Sequence, residues 1–332
     1  MKIIIDTLGA DNSPHAMIDG AILALEENAE ISVVIVGDEE IIKEKTAKFK
    51  DRVEIIHTTA AIDCHQAPAM AVRSGENSSV VLGLSALRKN EEYSAFVSAG
   101  STGAVLTGAI LKVGRIPGVL RPALCPFLPT KTGNQTMLID CGANMDSKPE
   151  NLLQFAIMAT EYLKASGREN PKIALLSVGA EDEKGNELVH EAFKLLKQKT
   201  AEGKINFVGN IEARDVLNGE IDAVVCDGFA GNVLLKTAEG AMAFAFSKIK
   251  DMFYTNLSTK LGWQLCKKEV NKMKAAIGEE AAGGTIFLGI LKPVVKAHGN
   301  SNAVAFKNAI LFAAEASRLD LKDKISAALS AQ

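Results

Sequence analysis

The run Ser94-Ala95-Phe96-Val97-Ser98-Ala99-Gly100-Ser101-Thr102-Gly103-Ala104 passes from a strand signal to a helix signal through a turn of small residues. Its first five residues are small or apolar without polar alternation, as expected of a strand covered on both faces. Glycines and hydroxyl side chains follow, and a segment of helical period over 103–113 comes next. Strand, small-residue loop and helix in that order form half of a βαβ unit.

The same order recurs outward in both directions. Toward the N-terminus, strands over 2–6 and 32–37 precede helices over 14–27 and 39–48. Toward the C-terminus, strands over 136–140, 172–177 and 221–227 precede helices beginning near 149, 186 and 231. Segments 285–291 and 294–296 read as further strands, and 301–318 as a closing helix. Continuous apolar runs such as Ile221-Asp222-Ala223-Val224-Val225 suit a parallel sheet buried on both sides. The expectation is an α/β fold with a mostly parallel sheet. No repeat, low-complexity tract or linker interrupts it, so the 332 residues form one unit or two closely joined lobes with a cleft between them.

Composition narrows the function. Net charge is −3 with both signs interspersed, so no basic stripe is available to neutralise nucleic-acid phosphates. The five cysteines, Cys64, Cys125, Cys141, Cys226 and Cys266, never form CxxC, which argues against a disulfide framework or a zinc site and for a reducing compartment. Met1-Lys2-Ile3-Ile4-Ile5-Asp6 turns acidic too soon for a signal peptide, and no apolar run reaches transmembrane length. A cytoplasmic protein, at most peripherally attached to a membrane, is expected.

Four loops end strands and open helices, the place where open α/β sheets bind ligands. They are 6–14, 98–104, 140–144 and 227–232, and they should converge on one edge. In 98–104 the glycines let backbone approach a ligand, and Ser98, Ser101 and Thr102 sit just before a helix, which suits an oxyanion. The competing reading is a turn whose hydroxyl merely caps the helix. The loop matches neither a Walker A motif nor GxGxxG, so nucleotide binding is not supported. Asp140 and Asp227 each precede a glycine, with Asn144 and Asn232 in matching places; such amides can donate to a developing oxyanion without adding charge. Singly, each aspartate also reads as an ordinary turn residue. His298, in Lys296-Ala297-His298-Gly299-Asn300-Ser301, is placed to protonate a leaving group or to serve a tight turn structurally. His15, His57, His65 and His190 lack such settings, and their spacing offers no metal triad. Cys141 and Cys226 beside the two aspartates raise an acyl-cysteine alternative, weakened because no histidine neighbours either. Segment 241–277 mixes Phe244, Phe253, Leu257, Leu261 and Trp263 with lysines, as suits core or dimer packing, a partner helix or a membrane surface.

Taken together, these loops resemble the bacterial phosphate acyltransferase family of phospholipid synthesis. The resemblance runs almost end to end. It rests on 6–14, 98–104, Gly114-Arg115-Ile116, Arg121-Pro122-Ala123, 140–144, Lys148-Pro149-Glu150, Lys184-Gly185-Asn186-Glu187, 209–214, 227–232 with Lys236-Thr237, and 296–299. Three places depart from the family pattern: Leu8-Gly9-Ala10 for Met-Gly-Gly, Ser101 for Asn, and Ser74-Gly75-Glu76 for a basic stretch. Ala10 disfavours positive φ if glycine is needed there, and the third change removes cations that would meet an acidic carrier protein.

The resemblance implies a three-layer α/β/α fold similar to phosphotransacetylases and to the isocitrate/isopropylmalate dehydrogenase group. It implies a homodimer working at the membrane surface, with 241–277 an amphipathic hairpin touching lipid near the dimer interface. The implied reaction passes a fatty-acyl group from acyl carrier protein to inorganic phosphate, with neither cofactor nor metal, and the downstream glycerol-phosphate acyltransferase is an implied partner. In it, Ser98, Gly100, Ser101, Thr102 and Gly103 hold phosphate together with a cation, Arg115 or Lys184. Asn232 stabilises the oxyanion, His298 protonates the thiol, and Asp227 orients the cationic and amide groups. Asp6, Gly9, Asp11, Asp140, Gly142, Asn144, Gly228 and Lys236 complete the cleft. Three rivals stand beside this reading: an acetyl-CoA phosphotransacetylase, a dehydrogenase of related fold lacking its metal carboxylates and nucleotide signature, and a non-catalytic membrane-associated scaffold.

Overall fold

The computed structural model describes residues 1–62, 66–277 and 283–330. Twelve strands are described: β1 (Lys2–Asp6), β2 (Ser32–Gly37), β3 (Val53–His57), β4 (Tyr93–Ser98), β5 (Ala123–Cys125), β6 (Phe127–Pro129), β7 (Gln135–Ile139), β8 (Lys172–Ser177), β9 (Asn206–Glu212), β10 (Ala223–Val225), β11 (Thr285–Leu288) and β12 (Val294–Lys296). The helices are α1 (His15–Glu27), α2 (Glu39–Thr46), α3 (Pro68–Ser74), α4 (Ser79–Lys89), α5 (Thr102–Gly108, prolonged by a π turn over Ala109–Val113), α6 (Pro149–Ala165), α7 (Glu187–Ala201), α8 (Gly228–Phe253), α9 (Leu257–Ile277), α10 (Ala303–Arg318) and α11 (Leu321–Ser330).

The strands divide between two sheets, of order β3-β2-β1-β4-β12-β11-β5 and β6-β7-β10-β8-β9. Pairing is parallel except that β11 runs antiparallel to β12 and β5, and β6 runs antiparallel to β7. The expected α/β/α layering is met, but the single rim expected for all four loops is split between two sheets. Alternation along each strand explains the layers, because successive side chains point to opposite faces. Ile3 and Ile5 of β1, Ala95 and Val97 of β4, Met137 and Ile139 of β7, and Ala223 and Val225 of β10 all enter one core that spans both sheets. Helices α1, α6 and α10 supply its other wall through residues such as Ile18, Phe155 and Phe306. Ile4, Phe96 and Val294 face the opposite way against α4 and α5, and Leu138, Ala174 and Val224 form a third cluster on the outer face of the second sheet. These strands read as unbroken apolar runs because both faces are covered.

Helix α8 begins at Gly228, three residues before the expected start, and Asp227 is its N-cap. Within 241–277, α8 and α9 form a hairpin closed by Trp263, whose ring lies 5.4 Å from Phe253 and 6.3 Å from Tyr254. Phe244, Met252, Leu257, Leu261 and Leu265 of this hairpin are exposed. Among the described residues no helix is long and apolar enough to cross a membrane. Cys64 and His65 lie outside the described residues.

Candidate functional site

The first rim is built by β1, β4 and β12, which lie side by side and parallel, with Lys296 in register with Ser98. Their C-terminal ends therefore present Asp6, Ser98 and Lys296 together. Asp6 is wholly buried. Its Oδ2 accepts from the Ser98 hydroxyl at 2.6 Å and its Oδ1 from the Leu8 N–H at 3.1 Å. Ser98 Oγ in turn accepts from the Gly100 N–H at 3.0 Å, so one serine fixes both the carboxylate and the turn. A Cβ at Gly100 would sit 3.2 Å from Ser98 Oγ, a tight contact that glycine avoids. Gly9 adopts φ +78° and faces Gly100 across the rim. Ser101 is the N-cap of α5, yet its side chain makes no capping bond. Ser101 thus does not cap the helix through its side chain.

Lys296 is only 9% exposed, in a strand end where an ammonium needs partners. It donates to the carbonyls of Ala99, at 3.2 Å, and of Ala297. Burial pulls the ammonium down to about 8, opposed by the negative charge of Asp6, with Lys236 lowering it further and Asp11 raising it. Burial likewise raises Asp6 above the usual carboxylate range, against the hydrogen bonds from Ser98 and Leu8 and the charge of Lys296. The flanking loops interlock: the Asp11 N–H donates to the Gly299 carbonyl at 3.0 Å, and the Asn12 amide to the Asn300 carbonyl at 3.0 Å. His298 is exposed on this rim, with Nδ1 2.9 Å from Asn300 Oδ1.

The second rim is built by β7 and β10. Asp140 is wholly buried and collects five donors: the N–H groups of Leu124 (2.8 Å), Cys141 (2.7 Å), Ala143 (3.1 Å) and Asn144 (2.6 Å), and the Asn144 side-chain amide (3.0 Å). Burial nevertheless raises its pKa above the ordinary value. Asp227 accepts from the Phe229 and Ala230 N–H groups, both at 2.9 Å, so it orients the first turn of α8. The two loops press together through glycine: a Cβ on Gly228 would lie 2.4 Å from the Asn144 carbonyl, and one on Gly231 only 2.0 Å from the Asp140 carbonyl. Asn232 lies across Gly142, whose φ is +122°.

Asp140 and Asn144 tie the second rim to the edge strand β5 of the first sheet. The Leu124 N–H that reaches Asp140 belongs to β5 of the first sheet, and the Asn144 amide donates to the Pro122 carbonyl at 2.8 Å. Lys236, two turns into α8, lies close enough for its charge to act on both Lys296 and Cys141.

One expected cation is elsewhere. Arg115 lies beyond the far end of α5, bridged to Ile290 in the β11–β12 turn, with its guanidinium on the Leu120 carbonyl. That turn is at the N-terminal end of β12, the opposite edge from Ser98. Lys184 is exposed in the β8–α7 loop at the C-terminal edge of the second sheet, its stem over Gly179. Lys296 is the cation that sequence reasoning passed over; a lysine closing the apolar run Val294-Val295 was the available signal. Cys141 and Cys226 are buried and donate to the carbonyls of Gly231 (3.1 Å) and Asp140 (3.3 Å). Burial, reinforced by nearby anionic groups including Asp140, pushes both thiols well above their usual range, so neither is poised as a thiolate nucleophile. Among the described residues no group of three or more His, Cys, Asp or Glu is placed to hold a metal.

A family described as "Fatty acid synthesis protein" matches residues 1–324. The phosphate acyltransferase of Halothermothrix orenii is 44% identical over 95% of this chain and 94% of its own length. That of Clostridioides difficile is 42% identical over 93% of this chain and 91% of its own. A phosphotransacetylase from Streptococcus pyogenes superposes with a TM-score of 0.63 at 20% identity, covering 95% of this chain and 94% of that one, a likeness of fold.

Proposed function

Because the chain belongs to this family of fatty acid synthesis proteins, whose relatives are phosphate acyltransferases, we propose that it passes a fatty-acyl group from acyl carrier protein to inorganic phosphate by direct attack. A phosphate oxygen bonds to the thioester carbonyl carbon, the C–S bond breaks, and the thiolate leaves with a proton. The products are acyl phosphate and the free carrier thiol. Phosphate is already an anionic nucleophile and thiolate a good leaving group, so positioning dominates.

The observation that carries this reading is the buried Lys296–Asp6–Ser98 group beneath the 98–104 turn. Ser98 holds the turn through the Gly100 N–H so that the amides of Ser101 to Gly103 and the hydroxyls of Ser101 and Thr102 receive phosphate. Lys296 supplies the positive charge in place of Arg115 or Lys184. Across the cleft, Asn232 and the amides ordered by Asp227 stabilise the tetrahedral oxyanion. His298 gives the departing thiol its proton, and Lys236 adds positive charge for the acyl phosphate.

The exposed apolar face of the 241–277 hairpin supports peripheral contact with a membrane or packing in a homodimer. Delivery of a labile acyl phosphate to a downstream glycerol-phosphate acyltransferase follows from the same placement. The test is incubation with palmitoyl-acyl carrier protein and labelled phosphate. Acid-labile acyl phosphate supports the reading; turnover of acetyl-CoA alone would make the chain a phosphotransacetylase, and no acyl phosphate from either would leave a scaffold.

A further inference from the structure

A cavity of about 640 Å³ opens at the C-terminal edge of the second sheet, between α8, the start of α7 and the turn after β9. Its floor is closed by Leu152, Leu175 and Val216, all essentially inaccessible to solvent. Val189, Leu217 and Leu234 form the walls. Only Asp227 and Arg214 among its lining residues are charged, and both are engaged: Asp227 caps α8, and Arg214 pairs with Glu212 at 2.9 Å. Such a lining cannot hold a phosphate or a nucleotide, but it suits a hydrocarbon.

We propose that this cavity takes the hydrocarbon chain of the acyl donor and that its depth sets chain-length preference, an inference that rests on the acyl-transfer reading above. Three observations converge. Asp227 and Ala230 belong both to the cavity and to the loop assigned to the thioester carbonyl, so a chain attached to that carbonyl enters the cavity without crossing polar surface. The volume is that of a site for a ligand of some tens of atoms. At the wall, the buried Ser177 hydroxyl has no hydrogen-bond partner, leaving one polar group for the head end of an otherwise apolar occupant.

The experiment narrows the cavity with Val189→Phe and, separately, Leu217→Trp, both at part-exposed wall positions away from the phosphate turn. With the wild-type chain, kcat/KM for acyl-acyl carrier proteins should rise by up to about fourfold per methylene until the cavity is full. In each variant the value for palmitoyl-acyl carrier protein should fall tenfold or more while that for octanoyl-acyl carrier protein stays within about twofold, and a fluorescent palmitate analogue should bind more weakly. A chain-length profile unchanged in both folded variants would overturn the proposal. So would a change of mass in light scattering that accompanies the loss, since that would assign the cavity to a second copy of this chain. Fluorescent palmitate that binds the wild-type chain more tightly than both variants, with no acyl phosphate formed, would instead keep the subsite and remove the reaction assigned to it.

Discussion

The Ser98 hydroxyl donates a 2.6 Å hydrogen bond to the Asp6 carboxylate across 92 residues of sequence, while accepting from the Gly100 N–H. Removing it leaves a buried carboxylate oxygen and a backbone amide short of partners, which costs about 1–3 kcal/mol. Ser98→Ala should lower unfolding free energy by that amount and raise the KM for phosphate about tenfold or more, with the KM for the acyl donor little changed. Urea unfolding and a phosphate titration check both; an unaltered phosphate KM would remove Ser98 from the anion site.

Lys296 gives the site a pH signature. Its folded pKa of about 8 lies below the ordinary lysine value of 10.5. Below pH 8 the ammonium is charged in both states and its burial costs roughly 3 kcal/mol; as pH rises from 8 to 10.5 the unfolded chain binds the extra proton and that cost is relieved. Wild type should therefore gain stability relative to Lys296→Met over that window. Activity should move the opposite way, because kcat/KM for phosphate needs the charged form and should fall as pH rises through about 8. Lys296→Met should raise the phosphate KM and lose this alkaline limb; a retained limb would assign it to another group.

What was legible in the sequence follows from local physics. Segments 32–37, 172–177 and 294–296 match β2, β8 and β12 residue for residue, because strands apolar on both faces advertise themselves. Strands β5 and β6 did not, being three residues each with Pro126 between them. The division into two sheets depends on pairings distant in sequence, such as β12 beside β4, which no local pattern encodes. Arg115 failed for a related reason: it follows the phosphate turn closely in sequence, but a helix advancing about 1.5 Å per residue carries it roughly 15–20 Å away. Lys296 was hidden by composition, since one lysine among 37 basic residues shows its burial only once β4 and β12 are paired.

The contact between the two second-rim loops predicts opposite outcomes for two glycines of one helix. A Cβ at Gly231 would stand 2.0 Å from the Asp140 carbonyl, whereas one at Gly240 meets nothing within 4 Å. Gly231→Ala should push the Asp140 loop aside, costing about 1–3 kcal/mol or more and most of the activity. Gly240→Ala should stabilise by about 0.8–1 kcal/mol through helix propensity, with activity retained. Thermal unfolding and turnover of the two variants decide it; equal effects would mean that the loops are free to separate.

His298 stands exposed on the first rim, and its assigned task is to protonate the departing thiol. That need is modest, because a thiolate leaves readily, so His298→Ala should lower kcat by up to about 100-fold, the low end for a general acid. The phosphate KM should stay near its wild-type value, since the anion is held by the 98–104 turn and Lys296. The loss should shrink with the acidity of the leaving thiol: an aryl thioester, whose thiolate departs without help, should be turned over by His298→Ala nearly as fast as by wild type. Steady-state kinetics with alkyl and aryl thioesters reads this dependence. An equal loss with both donors would make His298 a holder of the 298–301 turn through Asn300 rather than the proton donor.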